Sequence, residues 1–374
     1  MTMNIYDTAK QAVVPFTPDH LVTMYTCGIT PYDSAHIGHV ATYLAYDVLQ
    51  RRLRDLGHET RCVRNVTDVD DDLLRKARQL GVYYLDLAAE ETLKFDGSMA
   101  AMKFLPSYSE PRATSAISEI LKCIGSLLES GHAYQSGGAV YFDVSTYSRF
   151  GEISHFDRET MLVLSEERGG NVTDPNKRDP LDFVLWQPSL EDEPSWESRW
   201  GGGRPGWHIE CSALAMRDLG PSIDLHGGGA DLIYPHHECE AAQSESVTGK
   251  QFVRHWMHVG MVRLGGEKMS KSLGNLVFVN DLLECHEPDA IRLALLSQHY
   301  RSSFEWSDDL LADAESQLAR WRSTGPGDRS VEAVRGCLDN DLDTPAALAE
   351  IDEAVAAGHG VSVAAELLGV STLS

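Results

Sequence analysis

The sequence has no apolar run approaching the roughly 20 residues that a membrane-spanning helix needs, so we expect no membrane partner. It also lacks a basic excess, because 32 lysines and arginines stand against 56 aspartates and glutamates, for a formal net charge of −24. Proteins that bind nucleic acid usually carry a basic footprint, and none is visible along this chain. The opening residues, Met-Thr-Met-Asn-Ile-Tyr-Asp, show neither the basic patch nor the apolar segment of a signal peptide. These absences favour a cytoplasmic protein.

Cysteine is scarce and widely spaced, with seven residues at positions 27, 62, 123, 211, 239, 285 and 337. The count is odd, and a chain of 374 residues is long enough to bury a hydrophobic core without disulfide bonds. This usage predicts a reducing compartment such as the cytoplasm, and it leaves cysteines available for metal binding or for the core.

Strand and helix patterns alternate along much of the chain. In the first part they predict a strand over 21–27, a helix over 37–56, a strand over 59–66 and a helix over 70–79. After a stretch of short strands and Gly/Pro/Asp-rich loops over 137–203, we expect a strand over 223–225, a helix from His236, a strand over 253–259, and helices from 287 to the end. This alternation is typical of an α/β fold with a parallel sheet.

The segment His36-Ile37-Gly38-His39 opens the first predicted helix. Two histidines three residues apart lie on one face of a helical turn. A helix N-terminus offers free N–H groups and the positive end of a dipole, both suited to phosphate, and a glycine lets a nucleotide approach the backbone closely. A packing or capping role also explains these four residues, so the segment alone leaves both interpretations open.

A second segment, Lys268-Met269-Ser270-Lys271-Ser272, forms a short polar stretch between Gly265-Gly266 and Gly274. Ammonium groups on a flexible loop neutralise charge that develops on a pyrophosphate leaving group, although a solvated surface loop has the same composition. In this order, and about 230 residues apart, the two segments resemble the two signatures of class I aminoacyl-tRNA synthetases. The resemblance implies adenylation with ATP and Mg²⁺, and it implies catalytic roles for His36, His39, Lys268 and Lys271.

Three separated segments offer metal ligands. Cys27 ends the first predicted strand, Cys211 closes Trp207-His208-Ile209-Glu210-Cys211, and His236 lies in Pro235-His236-His237-Glu238-Cys239-Glu240. In a βα fold, residues that follow strand ends converge on one edge of the sheet. Taken alone, each cysteine is explained as a buried apolar residue. Together, the segments predict one Zn²⁺ with room for a substrate, held by Cys27, Cys211 and His236, with Glu240 as a further candidate ligand.

These three segments resemble the cysteine-specific branch of the class, in which zinc takes the substrate thiolate. A soft thiolate binds zinc far better than a serine hydroxyl, so the resemblance implies L-cysteine as the amino acid. Asp231 is then expected to accept hydrogen bonds from ribose, whereas His237, Glu238 and Cys239 are interpreted as structural. Thr42 and Trp207 also admit a helix role and a core role. The residues similar to those that line the cysteinyl-adenylate and ATP pocket in relatives are Cys27, Gly28, Ile29, Thr30, Thr42, Asn65, Val66, Thr67, Trp207, Gly229, Ala230, Asp231 and Val262.

The resemblance also implies the architecture, a Rossmann-like class I catalytic domain with an inserted subdomain and a small C-terminal helical domain. We expect the two halves of the catalytic domain over 1–120 and 204–265, the insertion over 121–203, the lysine loop and connecting region over 266–306, and the helical domain over 307–374.

Two families share such a site, the cysteinyl-tRNA synthetases and the mycothiol-pathway cysteine ligases, which join cysteine to the amine of a glucosaminyl-inositol. Nearly the whole chain is similar to the ligases, including Tyr6-Asp7-Thr8-Ala9, Cys27-Gly28-Ile29-Thr30-Pro31-Tyr32-Asp33, Glu167-Arg168-Gly169-Gly170 and Asp341-Leu342-Asp343-Thr344-Pro345. Some segments depart from the ligase pattern, namely Asn171-Val172, Glu240, Gln243-Ser244-Glu245 and Lys271-Ser272-Leu273-Gly274-Asn275. Synthetases have a zinc-ligating glutamate at the position of Glu240.

The C-terminal part favours the ligases, since only 102 residues follow Ser272 and residues 301–374 contain five arginines, no lysine and fourteen acidic residues. An anticodon-binding module has to neutralise phosphates, which this composition does not suit. We therefore expect a monomeric ligase that uses L-cysteine, ATP and a small amino-sugar inositol acceptor, without tRNA. The alternatives are a cysteinyl-tRNA synthetase, a cysteine ligase with another amine acceptor, and a non-catalytic adenylate-binding paralogue, against which the intact signature residues argue.

Overall fold

The computed structural model describes residues 2–269 and 274–373. The strands in these ranges are β1 (Met3–Asp7), β2 (Ala12–Phe16), β3 (Leu21–Ile29), β4 (Glu59–Val66), β5 (Ala133–Ser136), β6 (Ala139–Phe142), β7 (Phe183–Gln187), β8 (Arg204–Pro205), β9 (Leu225–Gly229), β10 (Trp256–Val259), β11 (Val262–Leu264), β12 (Glu267–Lys268) and β13 (Phe304–Glu305). The helices are α1 (Ile37–Asp55), α2 (Asp71–Leu80), α3 (Tyr84–Ala101), α4 (Ile117–Glu129), α5 (Arg158–Glu167), α6 (Trp207–Leu219), α7 (Glu238–Thr248), α8 (Val279–Cys285), α9 (Pro288–Leu296), α10 (Asp308–Arg322), α11 (Val331–Leu338), α12 (Thr344–Ala356) and α13 (Ser362–Leu367).

A parallel four-stranded sheet in the order β10-β9-β3-β4 forms the centre of the molecule. β3 and β4 come from the first part of the sequence, whereas β9 and β10 lie beyond residue 220. The sheet therefore joins the two halves of the expected catalytic domain. β3 is apolar and largely buried because it has a partner strand on each side. The carboxyl ends of the four strands meet at one edge, which is where α/β folds place their ligands. The expected α/β fold with a parallel sheet is therefore present.

Helix α1 connects this edge to the C-terminal helices. It begins after His36 and ends at Asp55, with Leu56 as its C-cap, and the following Gly57 takes a left-handed φ of 92°. Most of the helix is buried, including two charged residues. Asp47 accepts a hydrogen bond from Arg292 on α9, and Arg52 donates to both carboxylate oxygens of Asp339 at 2.8 Å. Buried ion pairs therefore hold the C-terminal helices against α1.

An antiparallel sheet in the order β5-β6-β7-β8 lies in the region interpreted as an insertion. Its core residues, among them Phe142 and Trp186, belong to the same apolar cluster as Cys27 and Cys211. The inserted sheet thus packs beside the carboxyl edge of the central sheet. The domain bounds given above remain a prediction.

Three local expectations were wrong. The strand expected over 223–225 runs from Leu225 to Gly229, while Ile223 forms only an isolated bridge with Val253. α7 begins at Glu238 rather than at His236, because Tyr234 is extended (φ −140°, ψ 137°) within the wide turn over 233–237. The helices after 287 are interrupted by β13, which pairs with β11. No helix in the described ranges is long and apolar enough to cross a membrane.

Candidate functional site

Four side chains bring their ligand atoms together at the carboxyl edge of the central sheet. They are Cys27, Cys211, His236 and Glu240, all buried, and each offers one atom within 4.8 Å of the others. Cys27 is near the end of β3, Cys211 is in the second turn of α6, His236 is in the turn over 233–237, and Glu240 is in the first turn of α7. The sequence-derived metal candidates therefore lie at one place.

The distances within the cluster are short and varied. The Cys27 and Cys211 sulfurs are 4.0 Å apart, and Cys27 Sγ is 3.5 Å from Glu240 Oε1. His236 Nε2 lies 3.0 Å from the same carboxylate oxygen. The His236 ring stacks on Trp207, with 4.2 Å between ring centroids, and His236 Nδ1 lies 2.8 Å from His208 Nδ1. Trp207 therefore fixes the orientation of the imidazole.

The charged groups of the cluster shift one another's pKa values. The hydrogen bond from Cys27 lowers the pKa of the Cys211 thiol to about 6, and burial holds the pKa of Cys27 well above its usual value. Burial acts to lower the pKa of His236, but Glu240 and Cys211 raise it to about 10. Burial acts to raise the pKa of Glu240, but His226 and His236 lower it to about 2. These shifts favour the deprotonated forms of Cys211 and Glu240, which are the forms in which a thiol and a carboxyl group bind a metal.

This donor set fits Zn²⁺. Two thiolates each about 2.3 Å from one zinc ion at a tetrahedral angle are about 3.8 Å apart, close to the separation of the two sulfurs. His236 Nε2 is buried, and although it lies 3.0 Å from Glu240 Oε1, it has no partner with hydrogen-bond geometry in the part of the chain that the structure describes, so its lone pair can be directed at a metal. Zinc binding would replace the protons on Cys27 and His236, since metal ligands must be deprotonated.

Two further histidines next to the cluster, His226 and His237, were not predicted from the sequence to take part in the site. His226 Nε2 lies 3.0 Å from Glu240 Oε2, and His237 Nε2 lies 3.3 Å from Cys27 Sγ. With Cys27 and Glu240 they make a second group whose ligand atoms lie within 4.8 Å of one another. His237 was interpreted as structural and His226 was not singled out. The signals available were the place of His226 directly after the strand predicted over 223–225 and the His-His pair at 236–237.

The two histidines of the first signature cap α1. His36 Nδ1 accepts from Gly38 N at 3.2 Å, and His39 Nδ1 accepts from His36 N at 3.4 Å. Their rings stack with 3.8 Å between centroids. Capping and presentation to a ligand are compatible, because the imidazole Nε2 atoms are not used by these caps. Tyr43, one turn further along α1, donates to the Cys27 carbonyl at 3.0 Å and so ties the helix to the metal cluster.

The segment that follows the lysine loop docks beside these histidines. Ile37 N donates to Val277 O at 2.9 Å, and Val279 N donates to Ala35 O at 3.0 Å. On the other side of the loop, Lys268 is in β12, opposite Arg263 in β11. Lys271 lies outside the described residues. Both flanks of the loop are thus anchored, one directly against the start of α1.

The remaining pocket candidates form two groups. At the ends of β3 and β4, Gly28 N donates to Asn65 Oδ1 at 2.8 Å, Asn65 Nδ2 donates to Thr67 Oγ1 at 3.1 Å, and Thr67 N donates to Ile29 O at 2.9 Å. Ile29 pairs with Val66 in the same ladder, and Thr30 follows it directly.

At the end of β9, Gly229 lies against Asp231 and Thr42. A Cβ at Gly229 would be 2.5 Å from Asp231 Oδ1 and 3.9 Å from Thr42 Oγ1, and Thr42 Oγ1 itself donates to Gly38 O at 3.0 Å. Ala230 begins the short turn that carries Asp231. Val262 lies apart on β11, which packs against α1.

Comparison with known proteins gives a consistent result. The chain matches the family described as tRNA synthetases class I (C) catalytic domain over residues 13–316. It is 48% identical over 364 residues to the L-cysteine:1D-myo-inositol 2-amino-2-deoxy-alpha-D-glucopyranoside ligase of Thermobispora bispora, with 96% of this chain and 90% of that one covered. It is 46% identical over 384 residues to the protein of the same name from Nakamurella multipartita, with 98% and 95% covered.

Among solved structures, methionyl-tRNA synthetase from Mycobacterium tuberculosis in complex with methionyl-adenylate is similar with a TM-score of 0.67 and 17% sequence identity, over 93% of this chain and 89% of that chain. At this identity the likeness concerns the fold alone.

Proposed function

Because the chain belongs to the class I (C) synthetase catalytic-domain family, and within it to the L-cysteine:1D-myo-inositol 2-amino-2-deoxy-alpha-D-glucopyranoside ligases, we propose that it makes the amide between L-cysteine and the amine of that sugar. The reaction would use ATP and would belong to mycothiol biosynthesis. The observation that carries the proposal is the buried cluster of two thiols, an imidazole and a carboxylate beside the capped start of α1. Such a cluster suits selection of a thiol-bearing amino acid next to a nucleotide.

One Zn²⁺ would be held by Cys27, Cys211 and His236, with Glu240 as the fourth ligand. When bound, the metal would supply a Lewis-acidic position that prefers a thiolate to a hydroxyl and so excludes serine. The chain's own contribution is to keep the ligand set rigid. Trp207 orients His236, and the carboxylate of Glu240 is held between His236 and His226.

In the first step a carboxylate oxygen of cysteine attacks the α-phosphorus of ATP, and the bond to pyrophosphate breaks. Positioning and charge stabilisation dominate such transfers. His36 and His39 would hold the phosphates at the start of α1, Lys268 and Lys271 would neutralise the pyrophosphate, and Mg²⁺ would accompany ATP. Asp231, at the end of β9, would accept from the ribose hydroxyls.

In the second step the neutral amine of the acceptor attacks the mixed-anhydride carbonyl, AMP leaves, and one proton is released. The acceptor is a small uncharged polyol apart from its amine, so the net charge of −24 does not oppose its approach. A tRNA is a polyanion, and the segment after position 300, in which fourteen acidic residues outnumber five arginines, would repel it.

The test is a pair of assays on the purified protein. Cysteine-dependent ATP–pyrophosphate exchange, with serine as the control amino acid, measures the first step. Amide formation with glucosaminyl-inositol, compared with charging of cysteine tRNA, measures the second. We expect pyrophosphate exchange with cysteine but not with serine. We also expect a rate of amide formation that changes little between about 50 and 200 mM salt, whereas binding of a tRNA would weaken steeply over that range. Efficient charging of tRNA without amide formation would make the protein a cysteinyl-tRNA synthetase.

A further inference from the structure

A chain of hydrogen bonds runs from the turn between β1 and β2 to the Cys27 sulfur. Thr8 Oγ1 lies 2.7 Å from His258 Nδ1, His258 Nε2 lies 2.7 Å from His237 Nδ1, and His237 Nε2 lies 3.3 Å from Cys27 Sγ. Both imidazoles are buried, at 7% and 0% exposure. We propose that Thr8 is a positioning residue of the metal site, which acts through His258 and His237 to hold a hydrogen bond on the Cys27 sulfur. This inference rests on the metal site of the proposed function.

The direction of each hydrogen bond in the series from Thr8 to Cys27 follows from the last acceptor, the Cys27 sulfur. A metal-bound Cys27 is a thiolate and only accepts, so His237 Nε2 must carry the proton. Each neutral imidazole has one donor and one acceptor. His237 Nδ1 therefore accepts from His258 Nε2, and His258 Nδ1 accepts from the Thr8 hydroxyl. One assignment of protons satisfies the whole chain, and it requires both rings to be neutral.

Burial supports that neutral state. It lowers the pKa of His258 to about 3, with a smaller contribution from His226. The ring of His258 is tilted by 37° against that of His237, with 4.9 Å between centroids. Two buried neutral imidazoles need complete hydrogen bonding, and the Thr8 hydroxyl satisfies the last free nitrogen of the chain.

Loss of the Thr8 hydroxyl would weaken the hydrogen bond that His237 donates to the Cys27 sulfur. His258 Nδ1 would lose its donor, so the Thr8 side would no longer favour the tautomer of His258 that carries its proton on Nε2. In the other tautomer His258 Nε2 accepts from His237 Nδ1, and a lone pair of His237 Nε2 faces the Cys27 thiolate, so the hydrogen bond on the sulfur would be weakened. The turn itself would stay, because Thr8 N donates to Trp256 O at 2.9 Å and Gln11 N donates to Thr8 O at 3.3 Å. The effect of the hydroxyl is thus separable from the effect of the backbone.

The variants that test this are Thr8→Val, which keeps the shape without the hydroxyl, and Thr8→Ser, which keeps the hydroxyl. Thr92→Val is a matched control, because Thr92 is buried and donates to the Ala88 carbonyl at 2.7 Å within α3, on a different part of the protein. The zinc dissociation constant is measured by competition with a chromophoric chelator. We expect weaker zinc binding by about 10–100-fold in Thr8→Val, and unchanged binding in Thr8→Ser and Thr92→Val. The KM for cysteine in pyrophosphate exchange should rise more than kcat falls.

Equal zinc affinity in Thr8→Val and the wild type would overturn the inference, as would an equal loss in Thr8→Ser. If Thr8→Val does not fold, ¹⁵N spectra of the zinc-loaded wild-type protein labelled in histidine give the answer without a variant. Both His237 and His258 should then be neutral with the proton on Nε2, and a proton on Nδ1 of either ring contradicts the chain. Zinc binding is measured without any acceptor, so a protein that shows these effects but forms no amide would refute the proposed function alone.

Discussion

Replacement of Gly28 by alanine should distort the site between its two strands. A Cβ at Gly28 would lie 1.5 Å from Asn65 O, 2.6 Å from Asn65 C and 3.2 Å from Asn65 N. Ordinary contact begins at 3.4 Å, so β3 and β4 would have to separate locally by about 2 Å. The clashing atoms belong to the backbone of Asn65, so no change of side-chain rotamer can relieve the clash. Cys27 is the residue immediately before Gly28, and the displacement would reach its sulfur.

The cost can be worked out from the bonds that would be lost. Gly28 N to Asn65 Oδ1 (2.8 Å) and Thr67 N to Ile29 O (2.9 Å) span the two strands at this point. Two hydrogen bonds at about 1 kcal/mol each, with about 1–3 kcal/mol for overpacking, give about 3–5 kcal/mol. At about 2.1 cal/mol/K per residue, the unfolding entropy of the whole chain is about 0.8 kcal/mol/K, so the melting temperature should fall by about 4–6 °C.

Thermal unfolding followed by circular dichroism, with zinc content measured on the same samples, tests this prediction. Gly97→Ala is the matched control, because Gly97 is exposed in α3 and no heavy atom lies within 4 Å of its added Cβ. Alanine should stabilise that helix by up to about 1 kcal/mol. If Gly28→Ala melts within 1 °C of the wild type and keeps its zinc, the close approach of the two strands does not constrain the site.

Three further predictions concern the metal and the buried charges. Cys211→Ser should lose bound zinc, whereas Cys239→Ser, a change of a buried thiol outside both ligand groups, should retain it; equal metal content in the two would exclude the assigned ligands. Arg292→Met removes the fully buried partner of Asp47, which keeps only the partly exposed Arg51, and should cost about 3 kcal/mol in denaturant unfolding. Arg320→Met, at an exposed ion pair, should change stability by about 0.5 kcal/mol or less. Burial acts to raise the pKa of Asp47, but Arg292 and Arg51 lower it on balance, so its stabilisation is present above the unfolded pKa of about 3.9 and is lost as pH falls through the folded value. Asp47→Asn should therefore lose less stability than the wild type between pH 5 and 2, and parallel pH profiles would contradict this.

The first half of the central sheet could be predicted closely from the sequence. β3 is a largely apolar run, β4 places mainly buried residues between partly exposed arginines, and Gly57 has the left-handed φ expected after α1. Family membership was predicted from the two signature segments and the metal segments, and the comparisons confirm it.

The second half was predicted less well because β9 is a strand of His-Gly-Gly-Gly. A Cβ at Gly227 would lie 1.8 Å from Met257 O and 2.2 Å from the Tyr46 hydroxyl, so this strand is glycine-rich for reasons of contact rather than β propensity. No local pattern carries that information. For the same reason His226 and His258 were missed, since their roles depend on contacts with Glu240 and His237 that only the folded chain creates.

The order of the strands in the central sheet also affects how the chain is made. β3 ends at Ile29 and pairs with β4, which follows directly after α1, but its other partner, β9, begins at Leu225, 196 residues after Ile29. At about 5–20 residues per second, the ribosome needs about 10–40 s to supply that partner. For this time one edge of an apolar strand is open to pairing with other chains. We expect the nascent protein to depend on a chaperone during synthesis, and the strand that needs this protection is the one that carries Cys27.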